Sequence, residues 1–349
     1  MQTQPSDLAA RWSALRESKP GIRARDAAET LGVSEAELVA SRTGDNTVRL
    51  RPDWKALFER LPALGRVMAL TRNENCVHER RGAYSPASFE GHVGLVLGAD
   101  IDLRIFLSHW SFGFAVEEET KRGLMRSLQV FDAAGTAVHK IYAGEETDLA
   151  AWAALVEALR DPAPAAIAVA PAAAPKTPLR DHEIDALSLL TDWQNMKDTH
   201  EFFGLLRRHK TTPTQAFRLA EGRFTSRLEV AAVREMLQAA SSLDVPIMVF
   251  VGNPGLIQIH TGPVKRIQVL GEWLNVLDPE FNLHLREDRL AEVWQVEKPT
   301  VDGVITSVEA FDAAGERVAT FFGKRKPGEP ELQSWRALAH ALRDAPVAA

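Results

Sequence analysis

Phe131-Asp132-Ala133-Ala134-Gly135 returns 180 residues later as Phe311-Asp312-Ala313-Ala314-Gly315. Working outward at that offset, Val67-Met68 matches Ile247-Met248, Asn73 matches Asn253, and Gly82 matches Gly262. Gly91 matches Gly271, Leu103 matches Leu283, Val116-Glu117 matches Val296-Glu297, and Thr120 matches Thr300. No gap is needed from about Val67 to Val138. After a small insertion, Trp152-Ala-Ala-Leu155 and Ala158-Leu-Arg-Asp161 reappear as Trp335-Arg-Ala-Leu338 and Ala341-Leu-Arg-Asp344. Apolar positions, glycines and turn residues recurring at one spacing predict two copies of one fold. A single asymmetric site should then lie where the copies differ.

The chain has 349 residues, enough for two domains with their own cores. Its repeats read as 1–160 and 179–349. Between them, 161–178 is mostly Ala and Pro; it lacks large side chains for a core, and its prolines interrupt helices, so it reads as a linker. A formal net charge of −6 argues against broad binding to nucleic acid or anionic membranes. One cysteine, Cys76, precludes an intramolecular disulfide and any cysteine-based zinc cluster. No apolar run approaches the roughly 20 residues that cross a bilayer. After Met1 come Gln, Thr, Gln, Pro and Ser, without a basic and then apolar leader pattern. The expectation is a soluble cytoplasmic protein with no membrane insertion.

Each half opens with helical material: Trp12, Leu15, Ala27, Ala28 and Leu31 in the first, Trp193, Met196, Phe203, Leu206, Ala216, Phe217 and Leu219 in the second. Ser34 and Glu37 form a capping box ahead of Leu38. The period then changes to short β-rich runs separated by Gly, Pro, Asn and Asp, as in an antiparallel meander: 66–71, 77–81, 92–97, 102–106, 110–116 and 125–131. Asp132-Ala-Ala-Gly135 turns into 137–142 as a hairpin. A helix carrying Trp152, or Trp335, closes each half. The fold class is α+β: a tandem duplication, each half a large antiparallel β-sheet flanked by helices.

There is no GxGxxG, P-loop, GxSxG or HExxH, and no CxxC is possible, which disfavours a dinucleotide fold, an NTPase and a thiol redox enzyme. None of the ten histidines is spaced to pair with another on one helical face. The segment Asp192 to His209 (DWQNMKDTHEFFGLLRRH) is the most suggestive. Asp198 and Glu201 cap a helix with His200 in its first turn, or else one helix runs on from Trp193. Either way the helical wheel sets His200 near Met196, Phe203 and Gly204. Such a histidine can offer a neutral nitrogen to a flat apolar ligand; the plainer reading is a surface or hydrogen-bonded histidine. The repeat favours the former, since the first half has no histidine before His78. In Ile101-Asp-Leu-Arg-Ile-Phe106, alternation puts Asp102, Arg104 and Phe106 on one face. Arg104 corresponds to His284, and its plainer reading is an arginine paired with Asp102 or Asp100.

Asp198-Thr-His-Glu-Phe-Phe203, Ile101-Asp-Leu-Arg-Ile-Phe106, Trp294-Gln-Val-Glu-Lys-Pro-Thr300 and Phe322-Gly-Lys-Arg325 together resemble the cytoplasmic hemin transport and hemin-degrading protein family of Gram-negative haem-uptake systems. The resemblance extends over almost the whole chain, including Ala-Arg-Asp-Ala-Ala at 24–28. It implies one haem b (hemin) in a cleft built by both halves. His200 would be the axial iron ligand and Arg104 would face the other side of the porphyrin. Lys298 and Arg325 would hold propionates, and Phe106 and Phe250 would touch the ring. Pro213 stands where the family often has a propionate-binding arginine, and Thr320 where a glutamine is usual. Arg207, Arg208, Lys210 or Arg218 are neighbours able to substitute.

Haem presents a broad apolar disc, a Lewis-acidic iron and two carboxylates, so it needs apolar walls, a neutral imidazole and a few cations. Arginine stays protonated and cannot donate a lone pair. Arg104 would therefore hydrogen-bond a water or hydroxide on ferric iron, or stack on the ring. The resemblance implies a protein that receives imported haem and traffics or sequesters it for iron acquisition. The alternative is a haem-degrading oxygenase using an external reductant and releasing iron. An inner-membrane haem importer and a downstream haem oxygenase or haem-accepting protein are the implied partners. A third reading is a regulatory or scaffold module that has lost haem.

Overall fold

The computed structural model describes residues 5–121, 123–172, 178–326 and 328–343. The first four residues, 173–177 of the Ala/Pro-rich stretch, and Asp344 of the repeat lie outside the described residues. The first repeat supplies β1 (Thr47–Leu50), β2 (Gly65–Arg72), β3 (Cys76–Ala83), β4 (Ala87–Glu90), β5 (Val93–Leu97), β6 (Asp102–Phe106), β7 (Phe112–Thr120), β8 (Gly123–Phe131) and β9 (Ala137–Thr147). The second supplies β10 (Thr225–Leu228), β11 (Ile247–Asn253), β12 (Leu256–Gly262), β13 (Ile267–Leu270), β14 (Trp273–Leu277), β15 (Phe281–Arg286), β16 (Leu290–Thr300), β17 (Gly303–Asp312) and β18 (Arg317–Gly323). Helices α1 (Pro5–Ser18), α2 (Ala24–Leu31), α3 (Glu35–Ala40), α4 (Trp54–Arg60) and α5 (Leu149–Leu159) accompany the first set. Helices α6 (Ala186–Gln194), α7 (Glu201–Arg208), α8 (Pro213–Leu219), α9 (Ala232–Ser242) and α10 (Gln333–Ala341) accompany the second.

Two nine-stranded sheets result, ordered β1-β7-β8-β9-β2-β3-β15-β14-β13 and β10-β16-β17-β18-β11-β12-β6-β5-β4. Raising each number of the first order by nine, counting round from β18 to β1, gives the second. The duplication read from the sequence is thus present strand for strand. Its anchor is reproduced atom for atom. Asp132 Oδ1 accepts from Ala134 N at 2.9 Å and Thr136 N at 2.8 Å, while Asp312 Oδ1 accepts from Ala314 N at 2.9 Å and Glu316 N at 3.0 Å. Gly135 and Gly315 close these turns at φ 81° and 77°, where a side chain would be strained.

The chain separates into two compact units, and each holds a short piece of the other repeat. Unit 1 comprises Met1–Arg72, Glu79–Ala173 and Gly252–Gln258; unit 2 comprises Asn73–His78, Ala174–Val251 and Ile259–Ala349. Within unit 1, Asn253 Nδ2 donates to Val138 O at 2.9 Å; within unit 2, Asn73 Nδ2 donates to Val318 O at 2.9 Å. The matched asparagines therefore seat the exchanged tips in the same way. Residues before 173 also belong to unit 1: Ala170 N donates to Ala133 O, and Ile167 packs beside Phe114 and Phe131.

In unit 1 alternate residues of β7 and β8 face different helices. Ala115, Leu128 and Val130 join Trp54, Phe58 and Trp152 of α4 and α5, whereas Phe114 and Phe131 meet Ala36 and Val39 of α3. Unit 2 repeats this plan. Val293, Val308 and Ala310 face α9 and α10, and Trp294, Val296 and Phe311 face α6, α7 and α8. Among the described residues no helix is long and apolar enough to cross a membrane.

Candidate functional site

In unit 2 an aromatic nest sets the direction of α7. Phe202 lies 4.6 Å centroid-to-centroid from Trp193 and stacks on Phe217, which meets Trp294 and Phe311. Phe202, Leu205 and Leu206 are buried at helical spacing. This turns Phe203 outward, 67% exposed, with Arg207 over its ring at 5.2 Å. The apolar spacing that put Phe203 in the core gives way to Phe202, its neighbour. Met196 is also buried in that core, beyond the end of α6, so it does not share a helical face with His200. The continuous helix is not formed: α6 ends at Gln194 and α7 starts at Glu201.

His200 is the residue immediately before α7, with φ −68° and ψ −23°. Asp198 accepts from His200 N at 2.8 Å and lies 2.5 Å from His200 Nδ1. The first bond is an Asx turn, the local use of a short carboxylate two residues before its donor. The second holds the ring as the Nδ1–H tautomer and directs Nε2 away from Asp198. The His200 side chain is 87% exposed. Bonding from the His200 backbone, ahead of the ring contact and the nearby His200 and Arg325 charges, keeps the Asp198 carboxyl below its ordinary range. His209, the other histidine of this segment, is different. Its side chain is 9% exposed and its Nε2 is 2.9 Å from Asp192 Oδ2.

The sheet of unit 2 and the segment after it carry three of the expected residues: Lys298, Arg325 and Phe250. Val301 N donates to Lys197 O at 3.0 Å, tying the β16–β17 turn to the loop before α7. Arg325, just after β18, donates to Asp302 of that turn at 2.9 Å and is mostly buried. Lys298 Nζ lies 4.7 Å from the Phe202 ring centroid and 6.0 Å from that of Phe322. Phe322 in turn meets Phe250 edge-on at 5.2 Å. Lys298 is buried, and its ammonium is 2.6 Å from Glu309 Oε1, which also accepts from Ser307 Oγ. Burial would raise the Glu309 carboxyl, but Lys298 and Arg317 outweigh it and bring it to about 2. Burial likewise lowers Lys298, against the pull of Glu309.

Arg104 and Phe106 belong to unit 1. On β6 and the residue before it, Ile101, Leu103 and Ile105 are fully buried while Asp102, Arg104 and Phe106 are partly exposed, as alternation predicts. Arg104 pairs with Asp102 and also reaches Leu103 O; Arg80 bonds Asp100. Burial raises the Asp102 carboxyl in spite of the adjoining guanidinium. Phe106 N donates to Gly255 O at 3.0 Å, which fixes the end of the strand.

Of the cations near Pro213, Arg208 is engaged by Asp192, and Arg218 by Asp181 and Glu292. Pro213 opens α8 beneath the Thr212–Gln215 capping box, and Thr320 is buried in β18 opposite Phe250. Sequence reasoning missed the partner of His200, although Asp-x-His spacing was available to suggest it. It also missed Glu309. That residue stands opposite Trp294 in the β16–β17 register while Lys298 stands opposite Ile305, so only folded sheet geometry brings the two together.

Comparison with known proteins gives the family. The haemin-degrading HemS.ChuX domain matches twice, at residues 32–159 and 210–342. The chain is 39% identical to the hemin transport protein HmuS of Yersinia pestis over 331 residues, 95% of each chain. It superposes on holo-PhuS, a heme-binding protein from Pseudomonas aeruginosa, with TM-score 0.95 and 51% identity, covering 97% of this chain and 99% of that one. It also resembles the Escherichia coli O157:H7 heme degrading enzyme ChuS, with TM-score 0.89 and 36% identity over 97% of this chain and 99% of that chain. With two copies of the domain and relatives matched nearly end to end, the chain belongs to the haemin-degrading HemS/ChuX family.

Proposed function

We propose that this protein binds haem b as cargo through His200 Nε2 and carries it in iron acquisition, taking it from an importer and yielding it to an acceptor inside the cell. The observation that carries this reading is His200 itself: an exposed imidazole whose inner nitrogen is tied to Asp198. A neutral ring nitrogen so presented is a ligand for ferric iron. Around it, Phe203 and Val301 expose apolar surface at 67% and 78%. A single strong protein ligand suits a cargo that must leave.

Arg325 is a cation we assign to a haem carboxylate: one guanidinium nitrogen donates to Asp302, which leaves further N–H donors. Lys298, expected as a second propionate contact, gives one of its three donors to Glu309 and lies against the Phe202 and Phe322 rings, so it keeps donors for a carboxylate. Phe250 acts with Phe322 as an apolar wall. Arg104 and Phe106 are assigned as haem contacts from the resemblance of the 101–106 strand to the family motif.

Titrating purified protein with hemin should give a saturable Soret band at one equivalent, and His200→Ala should abolish or displace it. An identical band and affinity in that variant would remove the axial role from His200. The second reading, ring opening with release of iron, draws support from the likeness to ChuS at 36% identity. Incubation of the hemin complex with reductant under air, with catalase present, separates the two. An open tetrapyrrole formed in that mixture indicates an oxygenase; haem lost only without catalase indicates attack by free peroxide.

A further inference from the structure

We propose that Asp198 is a positioning residue that makes His200 a stronger ligand for ferric than for ferrous haem, so that the oxidation state of the cargo grades how firmly it is held. The inference rests on His200 being the axial ligand. It starts from the contrast between two carboxylate–histidine pairs only a few residues apart. Asp192 takes Nε2 of His209 and leaves that ring nine-tenths buried. Asp198 takes Nδ1 of His200 and leaves the ring almost wholly exposed. Only the second arrangement combines a free outer nitrogen with a carboxylate behind it.

The Asp198 carboxylate cannot easily turn away. Its Oδ1 receives both the His200 backbone N–H and the ring, at 2.8 Å and 2.5 Å, and its carbonyl accepts from Glu201 N at 3.1 Å. An imidazole whose N–H is shared with a carboxylate carries more electron density on its other nitrogen. That density stabilises the more highly charged iron, and hydrogen bonding behind an axial ligand is one of the protein's means of setting a haem potential. A carrier built this way keeps ferric haem and loosens its hold on reduction, with no change in the fold.

Asp198→Asn tests this, because its amide oxygen still accepts from the His200 backbone and ring while the charge is gone. A purely structural turn would survive the change. The expected result is about a tenfold loss in the preference for ferric over ferrous haem. This appears as a rise of roughly 59 mV in the midpoint potential of the complex, with a lower iron–imidazole stretching frequency in the ferrous Raman spectrum. Asp198→Ala, with melting temperature as the folding control, should move both readings in the same direction. Unchanged potential and stretch in both variants, with His200→Ala still losing its ligation, would overturn the role of Asp198 alone. A wild-type Soret complex indifferent to His200→Ala would instead overturn the axial assignment and this inference with it.

Discussion

The two units carry opposite solutions at matched positions. Equivalent capping boxes, Ser34–Glu37 on α3 and Thr212–Gln215 on α8, align Glu35 with Pro213. The strand offset aligns Lys140 with Thr320, and Arg72 with Gly252. In unit 1, Glu35 bonds both Lys140 and Arg72 at 2.5 Å and is buried. Burial would raise its carboxyl, but the two cations outweigh that and lower it. In unit 2 the corresponding positions Pro213 and Thr320 are uncharged. Further along the same faces, Glu118 corresponds to Lys298 and Glu145 to Arg325, so the sign reverses. The cavity over this face of unit 1, among Trp12, Leu38, Val116, Glu118 and Gln129, is about 40 Å³. That admits a few waters, whereas ligand pockets run to several hundred Å³. One repeat fills this face with a buried salt cluster; the other has uncharged residues at Pro213 and Thr320 and basic ones at Lys298 and Arg325.

The strongest way to break this comparison is Glu35→Ala. It strands two buried cations and should cost about 3–5 kcal/mol in urea unfolding, while hemin affinity of the folded protein stays within about twofold. A large loss of affinity at full stability would mean that unit 1's cluster serves binding after all. Next comes Glu309→Gln. Glu309 sits near 2 when folded, against an ordinary value of about 4.3 in an unfolded chain. A depressed carboxyl stabilises above its unfolded value and loses that contribution as pH falls through the folded one. The variant should therefore be less stable by roughly 3 kcal/mol at neutral pH, and the gap should close between about pH 4.3 and 2 in melting curves. A gap independent of pH would show that the pair contributes no charge linkage.

A smaller effect sharpens the contrast at Pro213. Replacing it with arginine restores a cation where unit 2 has none, at a site where helix start geometry tolerates most residues. Hemin should bind about tenfold tighter in a competition titration, the order of one charged hydrogen bond less its ordering cost. No tightening would place the propionates elsewhere. Smallest and most symmetric are Asn73→Ala and Asn253→Ala. Each removes the matched bond to Val318 O or Val138 O and a side-chain-closed turn from an exchanged hairpin tip, so each should cost about 1–2 kcal/mol, and equally within about 0.5 kcal/mol. Unequal costs in thermal unfolding would show that the two tips are not energetic equivalents.

Much of this was legible in the residues. Phe131–Gly135 and its repeat gave the duplication because a turn closed by an aspartate side chain and a glycine needs those residues at those places. The alternation in 101–106 gave the faces of β6, since strand side chains can only alternate. His200 was legible as the odd histidine of one copy, and Asp198 could have been paired with it. Phe203 was misplaced in the core, and Met196, though buried, was misplaced beside His200, because a wheel assumes an unbroken helix whereas α6 ends at Gln194 and α7 starts at Glu201. The pairing of Lys298 with Glu309 was not legible, because nothing local in its strand announces Glu309.

By itself the sequence determined the repeat, the strand and turn pattern, and the identity of the candidate iron ligand. These depend on local chemistry and spacing, which a linear chain displays. Tertiary structure alone decided which charges are already spent. Whether Lys298, Glu35 or His209 is free depends on residues brought beside them by sheet register and helix packing, and electrostatic pairing acts through space rather than along the chain.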